Sequence, residues 1–441
     1  MSTRPNFIFI LADDLGWADL GCTGARDVMN QPVDVSPNLD RLAAQGLRCT
    51  HGYSNSAVCS PTRFALMTGR WQYRLRGAAE EPIANAKGDK ILGLPPEHPS
   101  LPSLLGQAGY RTALVGKWHL GYPPHFGPRL SGYQEYFGFH SGGVDYFAHT
   151  GPRGGHDLWD NETEVQREGY MTDLLSRRAV DFVERQSGEQ PFLLSLHYSA
   201  PHWPWLTRDD AEESRRTATH GVHTDGGSLA TYHRMIHHMD EGIGWLLDAL
   251  ERKGLAEDTL VVFTSDNGGE RFSNVWPFAG QKMDLLEGGI RVPLIARWPA
   301  RIAAGQVSDC PSLTMDWTAT MLAAGGAGIP ASHPLDGVDL QPLFADAAWR
   351  RPGVLAWRMK HRGQRALVQD GWKYLHMDGI DYLFNLNVDA RERANLARRE
   401  PGRLATLKAL WESWNDELPP IPEDAKAYGG FSAQEIPRGT F

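Results

Sequence analysis

Asn6-Phe7-Ile8-Phe9-Ile10-Leu11-Ala12-Asp13-Asp14 is the stretch on which the fold turns: an apolar run broken by two adjacent carboxylates. A continuous apolar run of this length is the pattern of a strand buried on both faces, as in a parallel sheet. The same form recurs downstream. Arg111 to Val115 runs into Gly116-Lys117-Trp118-His119-Leu120-Gly121; Pro191 introduces Phe192 to Leu196, followed by His197 and Ala200-Pro201-His202; Leu260 to Phe263 ends in Thr264-Ser265-Asp266-Asn267-Gly268-Gly269. Val292 to Ala296 reads as one more strand.

Between these runs the apolar spacing is helical. Ser36-Pro37 opens a helix through Leu39, Leu42 and Ala43 to Gly46; Leu101 to Ala108 stops at Gly109; Met171 to Arg185 repeats through Leu174, Leu175, Val180 and Val183; Leu229 to Arg252 stops at Gly254. Strands alternating with helices predict an α/β fold, a large mostly parallel central sheet flanked by helices, whose ligands bind beyond the carboxyl ends of the strands. Trp71 to Pro99 and Tyr122 to Val165 lack a regular period and Thr207 to Gly227 is polar; the loops Trp71 to Pro99, Tyr122 to Val165 and Trp203 to Gly227 are expected to form the wall of a pocket. From Val354 to Leu386 short alternating runs predict a small antiparallel sheet, and Pro401 to Trp414 a closing helix. The expected division is a catalytic domain over 1–340 and a smaller C-terminal α+β subdomain over 341–441.

Of 441 residues, 41% are hydrophobic and 22% charged, the balance of a soluble globular chain. A net charge of −9 argues against a nucleic-acid partner, while leaving room for a local basic pocket that holds a small anion. No run reaches membrane-spanning length. Cys22, Cys49, Cys59 and Cys310 show neither a disulfide framework nor metal-finger spacing. Met1 to Asn6 leads straight into Phe7 to Leu11, a run too short for a signal core, so the chain as written is expected in the cytoplasm, or in the periplasm or outside the cell if a signal has been trimmed. Oligomeric state is not legible in the sequence.

Cys59-Ser60-Pro61-Thr62-Arg63 predicts a helix start, with Ser60 as N-cap and Pro61 in the first turn. Cys59 is then beside a helix N-terminus, where an anion is favoured. Taken alone, such a cysteine is most simply a packing residue. Four strand endings bring more: Asp13, Asp14, Asp266 and Asn267 are hard oxygen ligands suited to Ca²⁺ or Mg²⁺ rather than zinc. Arg63, Lys117 and Lys282 balance an anionic group, and His119 and His202 move protons near neutral pH. Together they describe transfer of a sulfuryl or phosphoryl group. His233, His237 and His238 lie at helical spacing without accompanying carboxylates and read as a helix face rather than a metal site. Trp159, Trp203 and Trp205 either stack on a sugar or aryl ring or pack under loops.

The chain resembles the type I sulfatases of the alkaline phosphatase superfamily through Cys59-Ser60-Pro61-Thr62-Arg63, Thr68-Gly69-Arg70, "GKWHLG", Ala200-Pro201-His202, "SDNGG" and "EGGIRVP", in that order. The match covers Asn6 to Pro299; Gly371-Trp372-Lys373 and Asn395-Leu396 resemble the family's C-terminal part more loosely. The resemblance implies that a formylglycine-generating enzyme oxidises Cys59 to Cα-formylglycine, whose hydrate is the nucleophile. One hydroxyl attacks sulfur and displaces the alcohol; the second expels sulfate and restores the aldehyde. It further implies a Ca²⁺ or Mg²⁺ ion on Asp13, Asp14, Asp266 and Asn267, with Arg63 holding the hydrate and Asp266 accepting its proton. Lys117 and Lys282 would bind sulfate oxygens, His202 would be the general acid and His119 would assist elimination. Ser141, in His140-Ser141-Gly142-Gly143, stands where some members place a serine near the formylglycine. The expected substrate is an aryl or carbohydrate sulfate, cleaved in exo fashion, as in the arylsulfatase and hexosamine-6-sulfatase branch. Two other readings remain: a phosphonate or phosphate monoester hydrolase of the same superfamily, and a non-catalytic sulfated-glycan-binding protein in which Cys59 stays a thiol.

Overall fold

The computed structural model describes residues 4–84, 91–152, 154–220, 225–346 and 348–428. Parts of the three irregular stretches named above, at 85–90, 153 and 221–224, lie outside the described residues, as does the extreme N-terminus at 1–3. In chain order the strands are β1 (Asn6–Ala12), β2 (Leu47–Cys49), β3 (Gly52–Tyr53), β4 (Arg111–Lys117), β5 (Glu135–Phe139), β6 (Trp159–Asp160), β7 (Thr163–Glu164) and β8 (Phe192–His197). They continue with β9 (Thr259–Ser265), β10 (Leu294–Arg297), β11 (Gln306–Ser308), β12 (Ser312–Leu313), β13 (Leu355–Arg358), β14 (Arg365–Gln369), β15 (Trp372–Met377) and β16 (Ile380–Asn385).

β1 is the axis of the molecule. Every residue of it is buried, and its side chains alternate between two cores: Ile8, Ile10 and Ala12 on one face, Phe7, Phe9 and Leu11 on the other. Burial of each large apolar side chain contributes about 1.5–3 kcal/mol, which is why the run carries no polar interruption. Parallel neighbours flank it, with Leu11 opposite both His197 of β8 and Thr264 of β9. That register sets the residues following the three strands at one level.

The ten-stranded sheet runs β11-β2-β10-β9-β1-β8-β4-β5-β6-β7. The run β9-β1-β8-β4-β5 is parallel, β10 is antiparallel to both β9 and β2, and β6 and β7 close the far edge as antiparallel ribbons. Helices Pro37–Ala44, Met171–Glu184 and Leu229–Arg252 cover one face; Cys59–Thr68, Leu101–Gln107 and Thr314–Ala324 cover the other. Among the described residues no helix is long and apolar enough to cross a membrane.

Strands β5, β6 and β7 and helix Ala211–His220 arise inside stretches expected to be loops. β5 lies within 122–165 and extends the parallel sheet beside β4. Its Gly138 reads as a strand breaker, yet it is required there: a Cβ at this position would come within 1.9 Å of the Gly116 carbonyl oxygen of β4. Helix Ala211–His220 falls in the polar 207–227 stretch. Its first turns are tied by charge, Arg216 to Glu213 at 2.6 Å, rather than by an apolar stripe, so periodicity does not announce it.

The C-terminal strands form the antiparallel sheet β13-β14-β15-β16. One face packs under helix Pro401–Asp416 through Leu367, Tyr374, Leu407 and Trp411. The other face, with Trp357, Ala366 and Leu375, shares an apolar cluster with Val58, Cys59, Ala65 and Met283. The small sheet therefore backs directly onto the start of the Cys59 helix.

Candidate active site

Helix Cys59–Thr68 is buried along its whole length. It begins two residues earlier than Ser60 would require as an N-cap: Cys59 is the first helical residue and extended Val58 precedes it, without a side-chain cap. Ser60 is instead inside the first turn, where its Oγ accepts from the Ile83 N–H at 2.8 Å. Thr62 holds the incoming chain, accepting from the Ser56 N–H at 2.9 Å and donating back to the Ser56 carbonyl at 3.1 Å. Burial pushes the Cys59 thiol up to about 11, although Lys117 and Lys282 pull it down. A sulfur in this place is a protonated thiol at neutral pH, not a thiolate.

The strand endings converge on it. Lys117, the last residue of β4, places Nζ 2.5 Å from Asp13 Oδ2. Lys282 Nζ is 2.6 Å from Asp14 Oδ2 and 3.6 Å from Glu270. Arg63, one turn along the Cys59 helix, donates Nε–H to Asp266 Oδ2 at 3.0 Å, with Nη2 in an ion pair 2.8 Å from the same oxygen and 3.9 Å from Asp13 Oδ1. Asp14, in a left-handed conformation (φ 62°), donates its N–H to Asp266 Oδ1 at 3.3 Å, and Asn267 Nδ2 donates to Asp14 Oδ1 at 2.7 Å. Ligand atoms of Asp13, Cys59 and Asp266 all lie within 4.8 Å of one another, and so do those of Asp13, Asp14 and His202.

Three carboxylates in one dry site do not ionise equally. Burial raises Asp14, but Lys282 and then His202 outweigh it and hold the carboxyl well below the usual range. Asp13 is raised by burial against the pull of Lys117, and Asp266 is pushed up to about 7 by burial and by Asp13. Negative charge is thus in excess beside Asp13 and Asp266. Asp13 Oδ1 and Asn267 Oδ1 are also buried with no donor. Orphaned hard oxygens among strained carboxylates fit a hard divalent cation held by Asp13, Asp14, Asp266 and Asn267.

The histidines are positioned by backbone carbonyls. His119, in a left-handed turn (φ 57°), donates Nε2–H to Ile83 O at 3.0 Å, leaving Nδ1 as its basic nitrogen, buried and without a partner. Burial, Lys117 and Arg63 hold it neutral, well below the ordinary histidine range. His202 donates Nδ1–H to Trp203 O at 2.5 Å and faces Asp14 Oδ2 with Nε2 at 3.5 Å; burial brings it down to about 3. His202 is therefore neutral before substrate arrives.

Cys59, Arg63, Lys117, His119, His202, Lys282, Asp13, Asp14, Asp266 and Asn267 all lie in this one buried group, none more than 8% exposed. The weaker candidates sit differently. Ser141 donates Oγ to Gly143 O at 2.6 Å while its N–H meets Asp157; Gly142 and Gly143 beside it pack so closely on the rings of His119 and His202 that a Cβ would lie within 2.5 and 3.1 Å. Trp203 is half-buried and lines a cavity of about 110 Å³ with His202, Asp145, Thr150 and Thr217. Trp205 is buried edge-on against Phe272 with Arg271 over its ring, and Trp159 donates to Asp157. His237 and His238 lie on helix Leu229–Arg252, beside Glu241 and against Tyr170, and with His233 they are away from this group.

Three further residues complete the site. His197, at the end of β8, donates Nδ1–H to the Lys117 carbonyl at 3.3 Å, the same oxygen that receives Arg63 Nη1. Glu270, next after Gly269, faces Lys282. Asp19 accepts from Gly16, Tyr232, Ser273 and Asn274 at 2.6–2.8 Å, pinning the loop after Asp14 to the loop after Glu270. His197 is marked by closing an apolar strand and Glu270 by following the Asp266-Asn267-Gly268-Gly269 strand ending; nothing in the local pattern marks Asp19.

A family model described as Sulfatase matches residues 5–327. The chain is 35% identical over 362 residues to N-acetylgalactosamine-6-sulfatase of Mus musculus, covering 77% of this chain and 66% of that protein. It is 32% identical over 379 residues to arylsulfatase A of Homo sapiens, covering 77% and 68%. The solved structure of Ps i-CgsB in complex with k-i-k-neocarrahexaose superposes with a TM-score of 0.83 at 30% identity, over 95% of this chain and 94% of that one. The alignment to the mouse protein thus spans about two thirds of that relative's length.

Proposed function

Because the chain belongs to the sulfatase family, we propose that it hydrolyses a sulfate monoester of a saccharide, with Cys59 matured to Cα-formylglycine. The observation that carries this reading is the position of Cys59: it shares a 4.8 Å cluster with Asp13 and Asp266, inside a ring of Arg63, Lys117 and Lys282, yet its thiol is held up near about 11. The place is that of a nucleophile and the thiol is not one. A formylglycine hydrate supplies one hydroxyl that attacks sulfur, releasing the alcohol, and a second that expels sulfate. A divalent cation on Asp13, Asp14, Asp266 and Asn267 would add positive charge for the nucleophile and the sulfuryl oxygens, Ca²⁺ being favoured by the all-oxygen donor set.

The chain's own groups divide the remaining work. Lys117 and Lys282 present ammonium groups to the sulfuryl oxygens, and Arg63 fixes Asp266 beside residue 59. Asp266, whose Oδ2 Arg63 holds beside residue 59, is placed to take a proton from a hydroxyl there. His119, with Nδ1 basic, serves the elimination step. His202 starts neutral, so its role as acid to the departing alcohol requires it to gain a proton once the anionic ester sits against Lys117 and Lys282 and offsets their charge.

Two of the three relatives' names point to a saccharide, an N-acetylgalactosamine-6-sulfatase and a Ps i-CgsB structure that holds a neocarrahexaose, while the third, arylsulfatase A, makes an aryl sulfate the second candidate. Trp203 beside His202 offers a ring face for such a sugar, whereas buried Trp205 supports the wall. The test is comparative kinetics on 4-nitrophenyl sulfate, a hexosamine 6-sulfate, 4-nitrophenyl phosphate and a phosphonate monoester. Sulfate esters should have the highest kcat/KM. Phosphorus substrates turning over faster than both sulfates would overturn the assignment.

A further inference from the structure

Lys373 lies on β15 of the small sheet, outside every group described above, and its ammonium is completely buried. It is 2.9 Å from Glu287 Oε1 and 2.8 Å from Glu392 Oε1, both side chains themselves fully buried. Glu392 Oε2 accepts the Glu287 N–H at 2.7 Å. Glu287 Oε2 accepts from Tyr53 OH at 2.8 Å and lies 3.3 Å from Arg291. Two cations and two carboxylates thus close a neutral buried knot in which Lys373 is the contribution of the small sheet.

The knot is wired to the cation-site turn. Glu287 begins Glu287-Gly288-Gly289, and the Gly289 carbonyl accepts the Gly268 N–H at 2.9 Å, one residue beyond Asn267. The packing leaves no slack: a Cβ on Gly268 would come within 1.9 Å of the Gly288 carbonyl oxygen. Gly269 in turn accepts the Lys282 N–H at 2.9 Å. A shift of the Glu287 turn is therefore passed to Asn267 and Lys282 together.

We propose that Lys373 is a positioning residue of the active site: anchored in the small sheet, it fixes Glu287 and so holds the Asn267–Gly269 turn in the geometry that binds the divalent cation. This rests on the cation-site reading above. A merely structural weld between the two parts of the molecule would lower the melting temperature without changing cation affinity, and that difference separates the two roles.

The experiment is calorimetric titration of Ca²⁺, and separately Mg²⁺, into the full chain after chelation, with melting temperatures recorded in parallel. Lys373→Met should weaken cation binding at least tenfold. Leu375→Ala, which truncates a buried side chain two residues along the same strand, should lower the melting temperature while keeping affinity within twofold of wild type. Glu392→Gln, a gentler change, should weaken binding severalfold and decides the matter if Lys373→Met fails to fold. Affinity within twofold of wild type in Lys373→Met, or in Glu392→Gln where it must stand in, overturns the proposal. A wild-type chain that binds neither cation overturns the cation-site reading and this inference with it, whatever its sulfatase activity.

Discussion

At the scale of the residue, the site is governed by what burial does to charge. Asp13, Asp14 and Asp266 are legible in the sequence because they end apolar runs, and Lys117 for the same reason; their unequal ionisation is not, since it depends on which ammonium faces which carboxylate. Asp19 escapes a sequence reading because most of its partners, the hydroxyls of Tyr232 and Ser273 and the Asn274 N–H, come from distant parts of the chain. Burial also has a measurable consequence at His202, whose pKa falls to about 3 from an ordinary 6.5. A depressed histidine binds its proton more tightly in the unfolded chain, so stability is lost as pH falls from 6.5 towards 3, by about 1.4 kcal/mol per pH unit. Carboxylates raised in the same site act in the opposite direction, which makes a difference measurement the clean one. Between pH 6.5 and pH 5, denaturant unfolding of His202→Asn should lose about 2 kcal/mol less stability than wild type. Equal losses would mean that His202 is already charged in the folded protein.

Among elements, β1, β4, β8 and β9 and the helices Pro37–Ala44, Leu101–Gln107, Met171–Glu184 and Leu229–Arg252 follow directly from apolar period and end signals. β5 and helix Ala211–His220 do not, the first because a glycine interrupts it for reasons of strand packing, the second because ion pairs replace an apolar stripe. The junction of β4 and β8 shows how tightly the elements aim the site. Gly116 has φ +116°, and a Cβ there would meet the His197 carbonyl oxygen at 1.8 Å. Only glycine fits both constraints, and the next residue is Lys117. Gly116→Ala should therefore cost about 3 kcal/mol of stability and push the strands apart at Lys117. Its kcat should fall by about a hundredfold or more, as when one transition-state donor is displaced. A soluble variant with wild-type kcat would show that Lys117 is placed by something other than the β4–β8 contact.

For the molecule as a whole, the fold places one buried cluster where the parallel strands end and then closes it from behind with a second sheet. The α/β class and the small antiparallel sheet are both readable in the order of apolar patterns. What a linear reading does not reveal is the interlock: Trp357 and Leu375 share an apolar cluster with Val58 and Cys59, and Lys373 reaches the turn behind Asn267 only in three dimensions. That enclosure makes Cys59 dry, protonated and unreactive as a thiol, while surrounding it with cations suited to a sulfuryl group. Intact-mass measurement of the active protein, with mapping of the peptide that contains residue 59 and titration of turnover against the fraction modified, addresses this directly. Activity should rise in proportion to the fraction of molecules carrying formylglycine at position 59 and vanish as that fraction approaches zero. Full activity in molecules that carry only the Cys59 thiol would contradict the account.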